Sequence, residues 1–554
     1  MSAAIPKAPI VPIGAPDVGQ GGYQGLKERS EVLPAVWKYP DPRAKPLDSA
    51  IQVDHDVPIT MRDGAALRAD VYRPPPPADG EPPKKFNGLM SLSLMTPWDL
   101  GIPSGTLSGF EKFESIDPAT WVPRGYAVIN IDNRGVGDSD GTMGSQEAED
   151  GYDTIEALAK LPWCDGTPPS LKAIAPREGC GDLYCEQFAR GGIYAGDMFD
   201  HLIVKYMLKD RNGMESFREK FAQQPLADAW WNDKRPDMTK IKVPTYITGT
   251  WTNTMHGMGA IRGWQDVDNP NKWLRWHGTQ EWYDMYGNKE GTDELIQFFD
   301  RYLKGTENRW EKTPKIRLAA LQYGQNDPIE NIVEEEYPPK RTEYKEFYVT
   351  PDHKLDLQPP KDTSVLSYNS EADDSVSFTY TFDKEALLLG MPEAVVYMSC
   401  QDLDDMDVYV SIEKLYTSGQ PMINLNIPWK GLPIKSFEEF SPEQKTEVVT
   451  YKGPVGVLRA SHRAIDESKS IHPNWPYHPH EKEEKIEPGT VVRLDIGIWG
   501  TGIQFEAGEG LRVSISGRSH AVSNFGTFDH VKNKGRHTVH LGGEYPSHVV
   551  LPFI

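Results

Sequence analysis

Apolar and polar residues follow two different rhythms along this chain, and the rhythm changes near Pro314. From Ile51, the stretch IQVDHDVPITMRDGAALRADVYRP reads as strand, turn, strand, with Asp63-Gly64 supplying a hairpin. After a Pro-rich surface loop, GLMSLSLMTP and GYAVINIDNRG are short apolar runs of the kind buried in a parallel sheet. Ser145 to Leu161 has helical spacing, with Ile155 and Leu158 on one face, and SLKAIAP is a further buried strand. From Cys180 to about Lys240 the helical segments are irregular and rich in Met, Phe and Trp, as in an insertion that caps a pocket. IKVPTYITGTW and KWLRWHG return to the strand pattern. TDELIQFFDRYLKG is a helix, with Leu295, Phe298, Phe299 and Tyr302 on one side and Gly305 as its stop. This order is the grammar of a doubly wound α/β sheet.

Beyond Pro314 the pattern is β throughout. SVSFTYTF, AVVYMSC, MDVYVSIEKL, VVRLDIGIW and LRVSISG alternate between turn clusters and predict a jelly roll or sandwich with a core of its own. Residues 1–50 are Pro- and Gly-rich without periodicity, which predicts an extended or disordered arm. Two units are therefore expected, at 51–314 and 315–554, with a helical cap at about 180–240.

Composition narrows the function. A length of 554 residues suits two or three domains. The net charge of −22 leaves no cationic excess to neutralise phosphates, which argues against a nucleic-acid or anionic-membrane partner. No window of about 18 apolar residues predicts a membrane span. Cys164, Cys180, Cys185 and Cys400 lack metal-ligand spacing, so four reduced thiols in a cytoplasmic protein are expected.

Several motifs carry a resemblance. RDGAALRADVYRP, the loop RGVGDSDG at Arg134 to Gly141, LPWCDG and SLKAIAPREG resemble the catalytic domain of the cocaine esterase and X-prolyl dipeptidyl-peptidase family, the CocE/NonD hydrolases. GVLRASHRAID, IEPGTVVRLDIGIW and FEAGEGLRVSISG resemble that family's jelly-roll domain. The match runs from about residue 51 to the C-terminus in family order. It implies an α/β-hydrolase domain with a helical cap, then a β jelly roll. It also implies Ser, Asp and His acting in that chain order on a small-molecule ester or amide, without a cofactor.

One part of that pattern is missing. In the family, the WCDG motif is followed by a buried strand, a G-x-S-x-G elbow carrying the nucleophile, and a helix. Those elements need about 20 residues. Here Gly166 is followed by Thr167-Pro168-Pro169 and then Ser170-Leu171, so the central strand and elbow are absent near 166–170 and no nucleophile is identified. Gly137-Asp138-Ser139-Asp140-Gly141 matches G-x-S-x-G formally. An elbow serine sits at the immediate junction of strand and helix, whereas Ser139 lies within a loop, where a satisfied hydroxyl is the plainer reading.

Other positions depart as well. The resemblance places Trp98 where the family has an oxyanion-hole tyrosine, and an indole N–H is still a donor. It places Asn253 at the family's acidic position, after Gly249-Thr250-Trp251-Thr252. An amide orients an imidazole but does not stabilise its charged form as a carboxylate does. His256 and His277 lie near the expected histidine, with His277 favoured, while an ungapped reading puts Glu281 there. His472, His478 and His480 lie in a polar, Pro-rich loop without matching Cys or carboxylate spacing, so no metal is expected. Trp230, Trp231, Trp251, Trp264, Trp273, Trp276 and Trp282 suit either an apolar pocket or core packing. Three functions stay open: an inactive family member, an enzyme using another nucleophile, and a non-catalytic ligand-binding or partner protein.

Overall fold

The structure is a computed structural model. It describes residues 7–19, 23–76, 87–91, 105–111, 115–144, 147–166, 169–177, 179–197, 199–200, 204, 208–253, 256–429, 436–439, 449–518, 533 and 535–554. The fold is an α/β-hydrolase domain with a helical cap, followed by a β jelly roll.

The α/β layer consists of two separate sheets among the described residues. The first contains β1 (Arg29–Leu33), β2 (Ile51–Thr60), β3 (Ala66–Arg73), β4 (Asn87–Ser91) and β5 (Tyr126–Asp132), in the order β1-β2-β3-β5-β4. Only β4 and β5 run parallel. The β2–β3 turn needs Gly64, whose φ of +91° is left-handed, and Asp63 Oδ1 accepts from the Ala65 N–H. The second contains β6 (Thr245–Thr250), β7 (Lys272–His277), β8 (Ile316–Ala320) and β9 (Ile329–Glu334), in the order β9-β8-β7-β6. The expected boundary near residue 314 falls just ahead of β8 and β9, which extend this second sheet.

SLKAIAP runs along the outer side of β6, through parallel bridges from Ile174 to Thr245 and from Arg177 to Thr248. Among the described residues β4 pairs with β5 alone. Each sheet thus has an edge without a further strand among the described residues, β4 in the first and the 171–177 segment in the second.

The faces of this split layer differ. On one, Tyr126 and Val128 of β5 share a cluster with Ala173, Tyr246 and Trp273 of the second sheet. The bridge is helix α5 (Lys289–Leu303), which contributes Leu295 and Phe298; α1 (Glu147–Leu158), α2 (Phe217–Gln223), α3 (Gly257–Asp266) and α4 (Glu281–Tyr286) precede it. The Asn288 side chain caps α5, and Gly305, with φ +66°, follows its end. The same helix straps one tyrosine from each sheet: Tyr126 donates to Asp300 and Tyr246 to Glu294, both at 2.7 Å. On the other face no core is shared among the described residues. Ala127, Ile129 and Ile131 pack with Leu158 of α1 in one cluster. Ile247 and Leu274 pack with Met258, Ala260 and Ile261 of α3 in another. Helices that carry successive parallel strands in one direction lie on one face by right-handedness, so this is where a helix after the missing strand belongs.

The expectation of a separate jelly-roll core is corrected here. Its two sheets, one of nine strands and one of four, enclose residues such as Val396, Val410 and Ile515. The same cluster continues through Tyr337 and Met391 to Trp251, Trp276 and α3. Trp276 stacks on Tyr337 at 6.2 Å, and Trp251 lies 4.5 Å from Trp276. The second sheet is packed onto the jelly roll as one body.

The N-terminal residues read as an arm are partly built into the fold. β1 pairs with β2, and Ala8, Leu33, Ala44 and Leu47 are buried. Ile10–Val11 forms a two-residue ladder with Met214–Glu215 at the cap. The cap consists of short helices around Phe188, Phe217, Trp230 and Trp231, which pack on one another.

Candidate active site

In a doubly wound sheet, ligands bind beyond the carboxyl ends of the strands, and most of the sequence-predicted residues gather there. Trp251 follows β6 and is pinned by its indole N–H on the Ala319 carbonyl at 2.6 Å. This fixes the turn that presents Asn253. Asn253 Nδ2 donates to Glu281 Oε2 at 3.3 Å and lies 3.1 Å from His256 Nδ1. Because Nδ2 only donates, Nδ1 of His256 is the acceptor and its proton is on Nε2. Burial lowers the His256 pKa, as does Arg190, against the pull of Glu281, so the ring is neutral. Glu281 opens α4, whose start is tied to the jelly roll by Gln280 N–H on the Asn426 carbonyl at 2.9 Å. Asn253 thus meets both His256, one of the two candidate histidines, and Glu281, the residue of the ungapped reading.

His277, the favoured histidine, stands apart from that group. It ends β7, is 1 % exposed, and neither ring nitrogen has a hydrogen-bond partner. Burial pushes its pKa down to about 4, with Arg275 and Arg177 acting in the same direction and Asp284 and Glu281 opposing. Asp284 is the anchor of this neighbourhood. It receives Arg275 through two bonds of 2.8 and 2.7 Å, Arg177 at 3.1 Å and Asn288 at 2.9 Å. Burial alone would raise its carboxyl, but Arg275, His277 and Arg177 outweigh that and hold it well below the usual range. Asp284, Arg275 and Arg177 were missed by the sequence reading, and no local pattern distinguishes them from ordinary charged residues.

Ser139 is held in its loop by backbone alone. Its hydroxyl donates to the Asp132 carbonyl at 2.8 Å and accepts from the Arg68 N–H at 2.9 Å, and the residue is 5 % exposed. Around it, Gly135 has φ +80°, and a Cβ there would stand 2.5 Å from the Met143 nitrogen. Arg134 clamps the same loop to Asp150 at 2.7 and 2.6 Å. Trp98 lies outside the described residues. His478 meets the carbonyls of Ala464 and Asp495, His480 meets His462, and His472 accepts from Asn474 N–H. Trp230 and Trp231 belong to the cap, Trp251 and Trp276 to the jelly-roll core, and Trp273 to the α5 face.

The arrangement supplies a carboxylate, an amide, a neutral imidazole and a cationic cluster. The four cysteines are free thiols.

Comparison with known proteins places these features in context. The profile of the X-Pro dipeptidyl-peptidase (S15 family) matches residues 63–168, and that of the X-Pro dipeptidyl-peptidase C-terminal non-catalytic domain matches residues 308–550. The first match stops at the Thr167-Pro168-Pro169 junction. Cocaine esterase of Rhodococcus sp. (strain MB1 Bresler) is 22 % identical over 622 residues, covering 92 % of this chain and all of that protein. That alignment is longer than this chain. A crystal structure of a CocE/NonD family hydrolase from Staphylococcus aureus superposes with a TM-score of 0.81 at 26 % identity, covering 98 % of this chain and 99 % of that one. An α-amino acid ester hydrolase shares the fold, with a TM-score of 0.62 at 14 % identity, covering 94 % of this chain and 98 % of that one.

Proposed function

Since this chain belongs to the cocaine esterase and X-prolyl dipeptidyl-peptidase family of CocE/NonD serine hydrolases, we propose that it keeps the family's two-domain frame without the family's acyl-transfer chemistry. One observation carries the reading. The chain passes from Gly166 to Ser170 through three residues, too few for the strand, elbow and helix that the family has there, and among the described residues β4 and the 171–177 segment each end their own sheet. Acyl transfer needs a nucleophile beside a base that a third group orients. The resemblance puts Asn253 at the acid position, where its amide meets His256 and Glu281, and Ser139 spends its hydroxyl on backbone groups.

The ligand class is a small ester or amide-like molecule, in line with the esterase named among the relatives. Its place is the carboxyl end of β6 and β7, beneath the cap. The four free thiols fit a reducing compartment, and the cytoplasm is the proposed location. The described residues contain no helix long and apolar enough to cross a membrane.

The reading is tested with a fluorophosphonate probe and short aryl esters on the full chain. Labelling and hydrolysis at background are expected. Stoichiometric labelling that is lost in Ser139→Ala overturns it, and hydrolysis that persists in that variant assigns the chemistry to another nucleophile. The Ser139→Ala change itself should cost about 1 kcal/mol, the worth of its two backbone hydrogen bonds.

A further inference from the structure

Three polar side chains on one face of the second sheet have hydrogen-bonding atoms that nothing in the protein satisfies. Arg177 bridges to Thr248 in parallel register, Thr248 pairs with Arg275, and Thr250 pairs with His277. Side chains in register on parallel strands point the same way, and residues two apart share a face. Arg177, Thr248 and His277 therefore share the face that also carries Tyr246 and Arg275. Within this group, Nε and Nη2 of Arg177, Oγ1 of Thr248 and both ring nitrogens of His277 are buried without a partner. The Arg177 side chain is 10 % exposed, and Thr248 and His277 are each 1 % exposed.

The unsatisfied edge of Arg177 is the one shaped for a carboxylate. At three other arginines of this protein the Nε/Nη2 edge is closed by an acidic side chain: Arg134 on Asp150 at 2.7 and 2.6 Å, Arg73 on Asp54 at 3.0 and 2.9 Å, Arg459 on Asp407 at 2.8 and 3.2 Å. Arg68 and Arg317 leave Nε alone unsatisfied, whereas Arg177 leaves both Nε and Nη2. Arg177 gives only Nη1 to Asp284, whose two oxygens are already engaged by Arg275 and Asn288. An unpaired buried guanidinium edge is costly, and a planar anion that accepts two parallel N–H bonds removes that cost.

We propose that Arg177, Thr248 and His277 form a binding site for a small organic carboxylate. The Arg177 edge donates to its two oxygens side by side, the Thr248 hydroxyl donates to one of them, and a His277 N–H donates to the other. The site requires no chemistry, so it stands whether or not the chain turns over esters.

The test uses benzoate as the probe, with the full-length chain. Benzoate should raise the melting temperature in a concentration-dependent manner, while benzyl alcohol and an equal concentration of chloride should not. By calorimetry, Arg177→Gln should weaken benzoate at least about tenfold, since charge-assisted bidentate bonds are among the strongest available. Thr248→Val, which keeps the shape and removes one hydroxyl, should weaken it several-fold. No shift with benzoate overturns the proposal, as does an equal shift with benzyl alcohol or chloride. Should Arg177→Gln fail to fold, Thr248→Val decides, because unchanged benzoate affinity in that variant also overturns it. Fluorophosphonate labelling is read separately, so failure of this site and failure of the inactive-hydrolase reading are distinguishable.

Discussion

The two sheets of the α/β layer are made of similar strands, yet they are held in different ways. The second, β6 to β9, has α3 and the jelly roll on one face and α5 on the other. The first, β1 to β5, has its own small cluster with α1 on one face and depends on α5 for its tie to the rest on the other. Among the described residues the first sheet therefore has fewer ties to the rest than the second, whose core runs on across the change of sequence rhythm near 314. A domain boundary drawn from periodicity marks where the local pattern changes. A mechanical boundary lies where buried contacts are fewest.

The strongest way to break the contrast is to supply the missing segment. Inserting a strand, a tight turn and a helix between Gly166 and Ser170, about 20 residues, should pair both edges and cover the α1–α3 face. Each backbone group rescued from burial without a partner is worth about 1–3 kcal/mol. A gain of several kcal/mol, on the order of 10 °C, is expected by thermal unfolding. Equal melting temperatures would show that the short chain is not weakened there.

A second change isolates the bridge. Phe298 of α5 is fully buried and meets Tyr246, Trp273 and Trp310. Phe298→Ala should cost about 3–5 kcal/mol, as large core truncations do. Limited proteolysis should then cut the first sheet before the second. The matched truncation Phe378→Ala, inside the jelly roll, should instead leave the order of cutting unchanged or reversed.

The smallest effect is a pH dependence whose sign differs between the two halves. Glu111 is 1 % exposed, and burial, with Asp117 nearby, pushes its pKa up to about 8. Folded, it binds its proton far above the ordinary range, so its stabilising contribution is complete below about pH 4.5 and is lost as pH rises through 8. Glu111→Gln should flatten this fall, which is measured as melting temperature against pH. His277 of the second sheet behaves with the opposite sign. Its folded pKa of about 4 means stability is lost as pH falls from about 6.5 to 4.

Much of this fold was legible in the sequence because its signals are local. The hairpin at Asp63-Gly64, the buried run of β5, the α5 stripe through Leu295 and Phe298 and the β-only C-terminal half all follow from period and turn chemistry. What escaped depends on pairing between distant residues. β1 reads RSEVL, too polar and short to mark as a strand, and it exists because β2 offers an edge. β8 and β9 look like the start of the jelly roll and are claimed by β7 instead. At the candidate site, the ungapped alignment pointed to Glu281, but chemistry favoured a histidine and drew attention to His277. In three dimensions Asn253 meets His256 and Glu281, and His277 stands apart. Arg177 could not be singled out at all, because a missing partner is a property of the folded surroundings and not of a residue type.

The strap formed by α5 also has a consequence in time. Tyr126 and Val128 wait for Phe298 and Asp300, and the intervening stretch from Asp132 to Leu303 is about 170 residues. On a ribosome adding about 5–20 residues per second, that delay is on the order of ten seconds or more. Throughout it, one apolar side of the newborn first sheet stands open in the cell. A nascent chain with that schedule depends on chaperones that bind exposed hydrophobic surface during translation, and slowing synthesis between codons 133 and 303 lengthens the dependence.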